Sequence, residues 1–349
     1  MKLNINYHNL LDIINLNFNV YDPVEEFVSK KDFLSIVKNF SLLDGTFFPM
    51  PIFMDISKDF YKKSKDVKFL RLFFKSKRVC NLNIKSFYKV DKKVVGKKIF
   101  KTTDLRHPGL KKFLKSGDYF IHGKISNFNN QIMKKFNFSY PNKIKRIIKK
   151  KKLKTIVGFH TRNVPHKAHE WIHNFALTKC DGLLIQPLIG QFKKNEYKEK
   201  IIIKTNKKLV NSVYKKKNIL FALLNSYPRY AGPREALLHS IIRRNYGCSH
   251  FMLGRDHAGV GNFYAKYASQ NMCKRYEKKM KISIIAFNEP YICSSCNKIV
   301  NKSCKRCFKI TKKFISGTSI RKLIKKKRDI PNIYMRKSIS RILNPRSII

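Results

Sequence analysis

The sequence predicts an α/β protein: a β-rich N-terminal domain over residues 1–150, a doubly wound parallel-sheet domain over 151–290, and a small zinc-stapled C-terminal part over 291–349. Three observations predict it. Before residue 140 the chain reads as short apolar runs broken by turn formers, a pattern of strands joined by turns. After Lys154 it alternates strand-like and helix-like stretches, the mark of a parallel sheet with crossover helices. Towards the end, four cysteines stand in C-x2-C-x7-C-x2-C spacing.

Taken in order, the N-terminal runs include FFPMPIFMDI (47–56), SKRVCNLNI (76–84) and GDYFIHGKI (117–125). The stretch PNKIKRIIKKKKLK (141–154) combines a proline with a dense lysine block, and the first domain boundary is placed there. Beyond it, TIVGF (155–159) leads into a helix from about His166, and GLLIQPLI (182–189) into a lysine-rich helix. NILFALL (218–224) then leads into REALLHSIIRRNYG, and SHFMLG (249–254) into a helix after Gly261. Such sheets bind ligands beyond the carboxyl ends of their strands, so chemistry is expected in the loops after Phe159, Ile189, Leu224 and Gly254.

Composition narrows the function classes. With 43% hydrophobic and 13% aromatic residues, the chain can bury a core and is not a disordered polymer. No uncharged apolar run approaches the roughly 18 residues needed to span a bilayer. The start, MKLNINYHNLLDII, lacks a long apolar signal region, so a cytoplasmic location is expected. The net charge of +55 would ordinarily suggest a polyanion partner. However, there are 32 basic against 12 acidic residues up to position 150 and 44 against 9 after it, so no single patch carries the excess. Lysine outnumbers arginine 59 to 17, with 27 Phe and 16 Tyr beside one Trp, the profile of a chain enriched in AT-rich codons. No specific nucleic-acid partner is therefore expected. Against that drift, all nine alanines lie between Ala168 and Ala286, and eight of the 14 glycines between Gly158 and Gly261, which marks a middle stretch where close packing or close backbone approach is required.

Two loops in that stretch carry the chemistry. The first, GFHTRNVPHKAHEWIH, leaves a strand with His160, Thr161, Arg162 and Asn163 and opens a helix presenting His166 and His169. Three residues apart, these imidazoles share a face beside the free N–H groups of a helix N-terminus, a seat for phosphate. The bland alternative is a solvated or metal-binding pair. The second loop is GRDHAGVGNFY (254–264): Arg255 can neutralise an oxyanion, Asp256 and His257 can orient ligand or loop, and Gly259 and Gly261 allow close approach of an anion to the backbone. Cys293, Cys296, Cys304 and Cys307 form two knuckles suited to one tetrahedral, structural Zn2+, with free thiols or two disulfides as the alternative. Cys80, Cys180, Cys248 and Cys273 are scattered and read as buried small hydrophobes.

On these strings the chain resembles the ATP-sulfurylase (sulfate adenylyltransferase) family: TRN followed by HKAH, AGPREALLHSIIRRNYGCSHF leading into GRDHAGVG, and ISGTSIRKLI with IYMRKSIS. YDPVEEFV (21–28) and KTTDLRHPGLKKFL (101–114) are similar to signatures of the family's β-rich, PUA-like N-terminal domain. The resemblance implies a nucleotidyltransferase domain that transfers an adenylyl group from ATP to sulfate, giving adenylyl sulfate and pyrophosphate, with Mg2+ accompanying ATP. It implies catalytic roles for Thr161, Arg162, Asn163, His166 and His169, nucleotide contacts at His160, Gly254, Arg255, Asp256 and His257, and sulfate contacts at His160, Arg162 and the Ala258 backbone. Four positions depart from the family pattern: His160 stands where many members have Gln, Gln186 where a His is frequent, and in YDPVEEFV Asp22 stands for a Ser and Glu26 for a Gly. The first leaves open an adenylyltransferase acting on another oxyanion, and the charge leaves open a basic RNA-binding protein, although RNA binding would not require TRN, HxxH and GRDHAG in register. A homo-oligomer is possible on either reading.

Overall fold

The computed structural model describes residues 1–136, 138–190, 195–215, 217–302 and 311–349. Its chain forms two compact units that interleave in sequence. The first comprises Met1–Lys145, Asn225–Gly247 and Asp256–Ile284; the second comprises Arg146–Leu224, Cys248–Arg255 and Ile285–Ile349.

In the first unit a five-stranded sheet has the order Lys2–Asn4, Phe69–Phe74, Lys77–Tyr88, Tyr119–Ser126, Met54–Ile56. The first pair is parallel and the others antiparallel. The N-terminal part is less purely β than the sequence pattern predicts, because five helices interrupt the strands: Tyr7–Asn17, Lys30–Asn39, Lys58–Ser64, Lys92–Phe100 and Pro108–Leu114. Each starts on a side chain that accepts a backbone N–H from the first turn, namely Asn6, Ser29, Ser57, Asp91 and His107. These caps read as turn formers in the sequence, and FFPMPIFMDI accordingly contributes only a three-residue strand.

Two buried polar contacts explain why a later segment folds back into this unit. Asp12 is 2% exposed and accepts from Tyr21 Oη, Tyr227 Oη and Arg229 Nη2, each at 2.7 Å. Arg234, 4% exposed, donates to three backbone carbonyls, those of Ile36, Pro49 and Val37. The helix Pro233–Asn245 is thereby tied to the N-terminal helices by charge-assisted bonds in a dry interior.

The second unit holds the parallel sheet, with strands His250–Leu253, Ile156–Thr161, Gly182–Ile189 and Ile219–Phe221 in that order. Every residue of Gly182–Ile189 is buried, as an apolar run in a strand covered on both faces requires. From Ile156–Thr161 the chain winds one way through two further strands, and His250–Leu253 then adds on the opposite side. The topological switch point therefore lies between Ile156–Thr161 and His250–Leu253, where a ligand crevice opens in such sheets. The lysine-rich stretch at the first predicted boundary is itself a helix, Pro141–Lys150, and the passage from one unit to the other falls within it. A small antiparallel sheet, Ile299–Val300, Tyr291–Cys293 and Lys312–Phe314, and the helix Gly317–Lys325 complete the unit.

The Asp12 cluster yields a stability prediction. Asp12→Ala leaves a buried guanidinium and two hydroxyls without their acceptor and should lower unfolding free energy by about 3 kcal/mol or more, whereas Asp12→Asn keeps one acceptor and should lose less. Urea unfolding of the two variants checks the order; equal midpoints for wild type and Asp12→Ala would refute the role assigned to the cluster.

Candidate active site

The strand Ile156–Thr161 delivers the first motif to the switch point. Thr161 is 6% exposed, and its Oγ1 accepts the Asn163 backbone N–H at 3.0 Å, closing a tight turn. Buried Val164 then anchors the loop in the core beneath. Between these fixed points sits Arg162. Its Nη1 is buried, lies 3.8 Å from Glu196 Oε1, which is beyond hydrogen-bond reach, and has no hydrogen-bond partner among the described residues. A buried guanidinium nitrogen without an acceptor at a strand end has the chemistry to take an oxyanion.

Asn163 is held from a distant part of the chain. Arg321 Nη1 donates to its Oδ1 at 3.1 Å, which fixes the amide with its NH2 as the group left to donate. Gly317 makes room for this pair, since a Cβ there would meet Asn163 Oδ1 at 2.9 Å and Arg321 Nη1 at 3.1 Å. The motif ISGTSIRKLI thus supports the first loop through Gly317 and Arg321, a link with no sequence signal because 158 residues separate the partners.

His166 is the N-cap of the helix Lys167–Leu177, its Nδ1 accepting the His169 backbone N–H at 3.4 Å. Spending Nδ1 as acceptor leaves the proton on Nε2, so this neutral ring presents a donor. The rings of His166 and His169 stack at 3.7 Å between centroids. Burial lowers the pKa of His166 well below the ordinary value, with the adjoining histidines adding to the effect. Burial also pulls His169 down to about 4, against a hydrogen bond to the Val164 carbonyl that acts the other way. Sequence reading missed a third member, His173, one turn further along the same face. It is fully buried, within 3.0 Å of Tyr214 Oη, and likewise lowered by burial.

His160 and Gln186 face one another in register on adjacent parallel strands. Gln186 is fully buried, and neither of its amide atoms has a hydrogen-bond partner among the described residues. At the end of the next strand, Gly254 packs so close to the Phe287 ring that a Cβ would lie 3.3 Å from it. Arg255 is ion-paired with Glu289 at 2.8 Å.

Asp256, His257 and Ala258 belong to the first unit. There His257 Nε2 lies 2.9 Å from His239 Nδ1, and His239 Nε2 lies 3.6 Å from Glu235 Oε1, a relay of buried groups from AGPREALLHS that sequence reading did not single out. Ala258 takes a left-handed conformation, φ 58°, and its carbonyl accepts the Gly232 N–H. A side chain at Gly259 would collide with the Asp256 carboxylate.

Of the proposed zinc ligands, Cys293 is buried and Cys296 partly exposed, and they flank a turn between two antiparallel strands. The Cys293 carbonyl accepts the Asn297 N–H and its own N–H bonds to Lys298, while Asn297 turns the chain with φ 51°. Cys304 and Cys307 lie outside the described residues. Among those described, no group of three or more His, Cys, Asp or Glu could hold a metal. Cys80, Cys180, Cys248 and Cys273 are all buried, as expected of small hydrophobes.

Buried neutral histidines make stability pH-dependent. Unfolding exposes rings that bind protons at about the ordinary 6.5, whereas folded His169 resists down to about 4. The unfolded state therefore gains protons first, and stability present above about pH 6.5 should drain away as pH falls towards about 4. Thermal midpoints should fall between about pH 7 and pH 5, less steeply in His169→Asn. Parallel slopes for the two proteins would contradict the assignment.

The ATP-sulfurylase family profile matches residues 137–345, and a PUA-like domain profile matches residues 1–130. The sulfate adenylyltransferase of Ignicoccus hospitalis is 33% identical over 95% of this chain and 87% of its own length. Those of Pyrococcus abyssi and Thermococcus onnurineus are 33% and 34% identical, each over 98% of this chain and 89% of their own length. Among solved structures, the hexameric APS kinase from Thiobacillus denitrificans superposes with a TM-score of 0.73 at 15% identity, covering 98% of this chain. This chain spans 62% of that one, and the likeness concerns the fold.

Proposed function

The chain belongs to the ATP-sulfurylase family and catalyses sulfate adenylyl transfer, and we propose that the loop Thr161–Asn163 and the pair His166 and His169 perform that chemistry here. The observation that carries this reading is the buried, unspent Nη1 of Arg162. In the reaction a sulfate oxygen attacks the α-phosphorus of ATP, the new S–O–P link forms, and the bond to the β-phosphoryl oxygen breaks to release pyrophosphate. No covalent enzyme intermediate is needed, so the work is positioning and charge stabilisation.

On this reading Arg162 binds sulfate with a charge-assisted bond, and Asn163, oriented by Arg321, donates its amide hydrogen to an anionic oxygen. His166 and His169 remain neutral and act on the phosphates as hydrogen-bond donors and not as cations. His160 is a further donor at the sulfate, Gly254 and Arg255 line the nucleotide, and Asp256, His257 and the Ala258 N–H complete the contacts. Mg2+ accompanies ATP through its phosphates and neutralises part of their charge when bound. The functional division we propose is a PUA-like domain over 1–150, a nucleotidyltransferase domain over 151–290 and a stapled part over 291–349, in a cytoplasmic protein able to form homo-oligomers.

The tests are direct. Arg162→Ala should lower sulfate-dependent pyrophosphate release by about 100-fold or more, as loss of a dry charge-assisted contact to the reacting anion does. Near-normal turnover in that variant would remove Arg162 from the site.

The hairpin at Cys293 and Cys296 supports a structural Zn2+ completed by Cys304 and Cys307, because two thiols across a tight turn make half of a tetrahedral set. Protein prepared without chelators should contain about one zinc per chain, and Cys296→Ser should lower the thermal midpoint far more than the turnover rate. Metal-free protein with an unaltered midpoint would eliminate the staple.

A further inference from the structure

Glu170 sits one turn into the helix that carries His166 and His169, and it is 6% exposed. Beside Lys167, whose Nζ lies 3.8 Å from Oε2, its closer partner comes from far along the chain: Arg336 Nε donates to both carboxylate oxygens, at 2.9 and 2.7 Å, and Nη2 lies 2.7 Å from Oε2. Two residues before Arg336, the Tyr334 carbonyl accepts the backbone N–H of Lys167 at 2.8 Å. Lys167 opens the helix, so this N–H is one of those with no acceptor within it. Between the two contacts Met335 is fully buried in the core of the unit, together with Ile339. The segment is thus anchored in the core and grips the helix N-terminus at a backbone group and at a side chain one turn later.

We propose that residues 334–336 are a positioning clamp for the histidine pair, with Arg336 and Glu170 as positioning residues that touch no substrate. The inference rests on the reading of His166 and His169 as the groups that face the phosphates. The clamp does two things. It sets the axis and depth of the helix, on which the placement of both imidazoles depends, and positional errors of this kind are amplified in rate. It also cancels a nearly buried carboxylate in the first helical turn, which would otherwise oppose the anions that the helix N-terminus attracts. The second effect predicts a directional signature: losing the cation weakens both anionic substrates, and losing the carboxylate does not.

The test compares kcat and KM for ATP and for sulfate in wild type, Arg336→Met, Arg336→Lys, Glu170→Gln and His169→Ala, and in Arg336→Met/His169→Ala, all well below their melting midpoints. Arg336→Met should lower kcat by about 10-fold or more and raise both KM values, and Arg336→Lys should recover part of each loss. In the His169→Ala background, Arg336→Met should cost no more than about 3-fold further in kcat, because a residue acting through the histidines loses its effect once they are impaired. If His169→Ala turned over at the wild-type rate, the reading of the histidines would fail. If His169→Ala were severely impaired, while Arg336→Met either matched wild type or cost the same factor in both backgrounds, the clamp alone would be overturned. Should Arg336→Met fail to fold, Glu170→Gln, which keeps the side-chain volume, carries the same comparison: a kcat loss that shrinks in the His169→Ala background supports the clamp, and a loss that does not shrink overturns it.

Discussion

The fold has to desolvate several arginines in a chain that has 21 carboxylates for 76 basic side chains. A buried guanidinium without a partner costs several kcal/mol, so each acid near a core becomes an organising point. Asp12 holds the buried Arg229 in this way, whereas Glu170 and Glu289 pair with the part-exposed Arg336 and Arg255. Where no acid is at hand, carbonyls serve: Arg234 is satisfied by three of them. Arg162 is held less closely: Glu196 lies 3.8 Å from its Nη1, which makes no hydrogen bond among the described residues. Arg162 follows directly on the carboxyl end of a central parallel strand. Excess lysine elsewhere is compatible with this scheme because an exposed ammonium keeps its water and asks for no partner.

How much of this was legible in the sequence follows from the range of each signal. The parallel strands were visible because TIVGF, GLLIQPLI and SHFMLG are compact apolar runs whose neighbours are sequence-local helices. The motifs TRN, HKAH and GRDHAG could be singled out because each is a short contiguous run of residues. The N-terminal helices were harder to see, since their capping residues double as turn formers and their lysines blur the apolar periodicity. The supports of the site could not be read at all. Arg321 to Asn163 and Arg336 to Glu170 each join residues more than 150 positions apart, and only folding brings them together. The interleaving of the two compact units is hidden for the same reason: it depends on Arg229 and Arg234 reaching acceptors near the N-terminus.

The histidines show how burial alters a chemical reading made from residue types. In sequence, two imidazoles at a helix N-terminus suggest a seat for phosphate and leave their charge open. In the folded chain a stacked pair with a third ring one turn on, all desolvated, is held neutral. Neutral rings lose Coulomb attraction but keep a donor, because His166 spends Nδ1 on the helix and carries its proton on Nε2. For a site that must release a dianionic or more highly charged product, directional donors that do not add full positive charge limit how tightly product is held.

Register joins two departures that look separate along the chain. The family resemblance places Gln where this chain has His160, and often His where it has Gln186. In the sheet these two residues are register partners on neighbouring strands, one imidazole and one amide side by side at the carboxyl edge. Exchanging them moves each group across one interstrand spacing, about 5 Å, while the pair itself keeps its composition. Side chains at matched positions in a parallel pair emerge on the same face, so the exchange preserves which face carries the two polar groups. In this chain the amide is the fully enclosed member, without a hydrogen-bond partner among the described residues, and the imidazole is the more exposed one. Neither substitution is understood alone, since each alters the environment of the other, and their effects on anion binding belong to the pair.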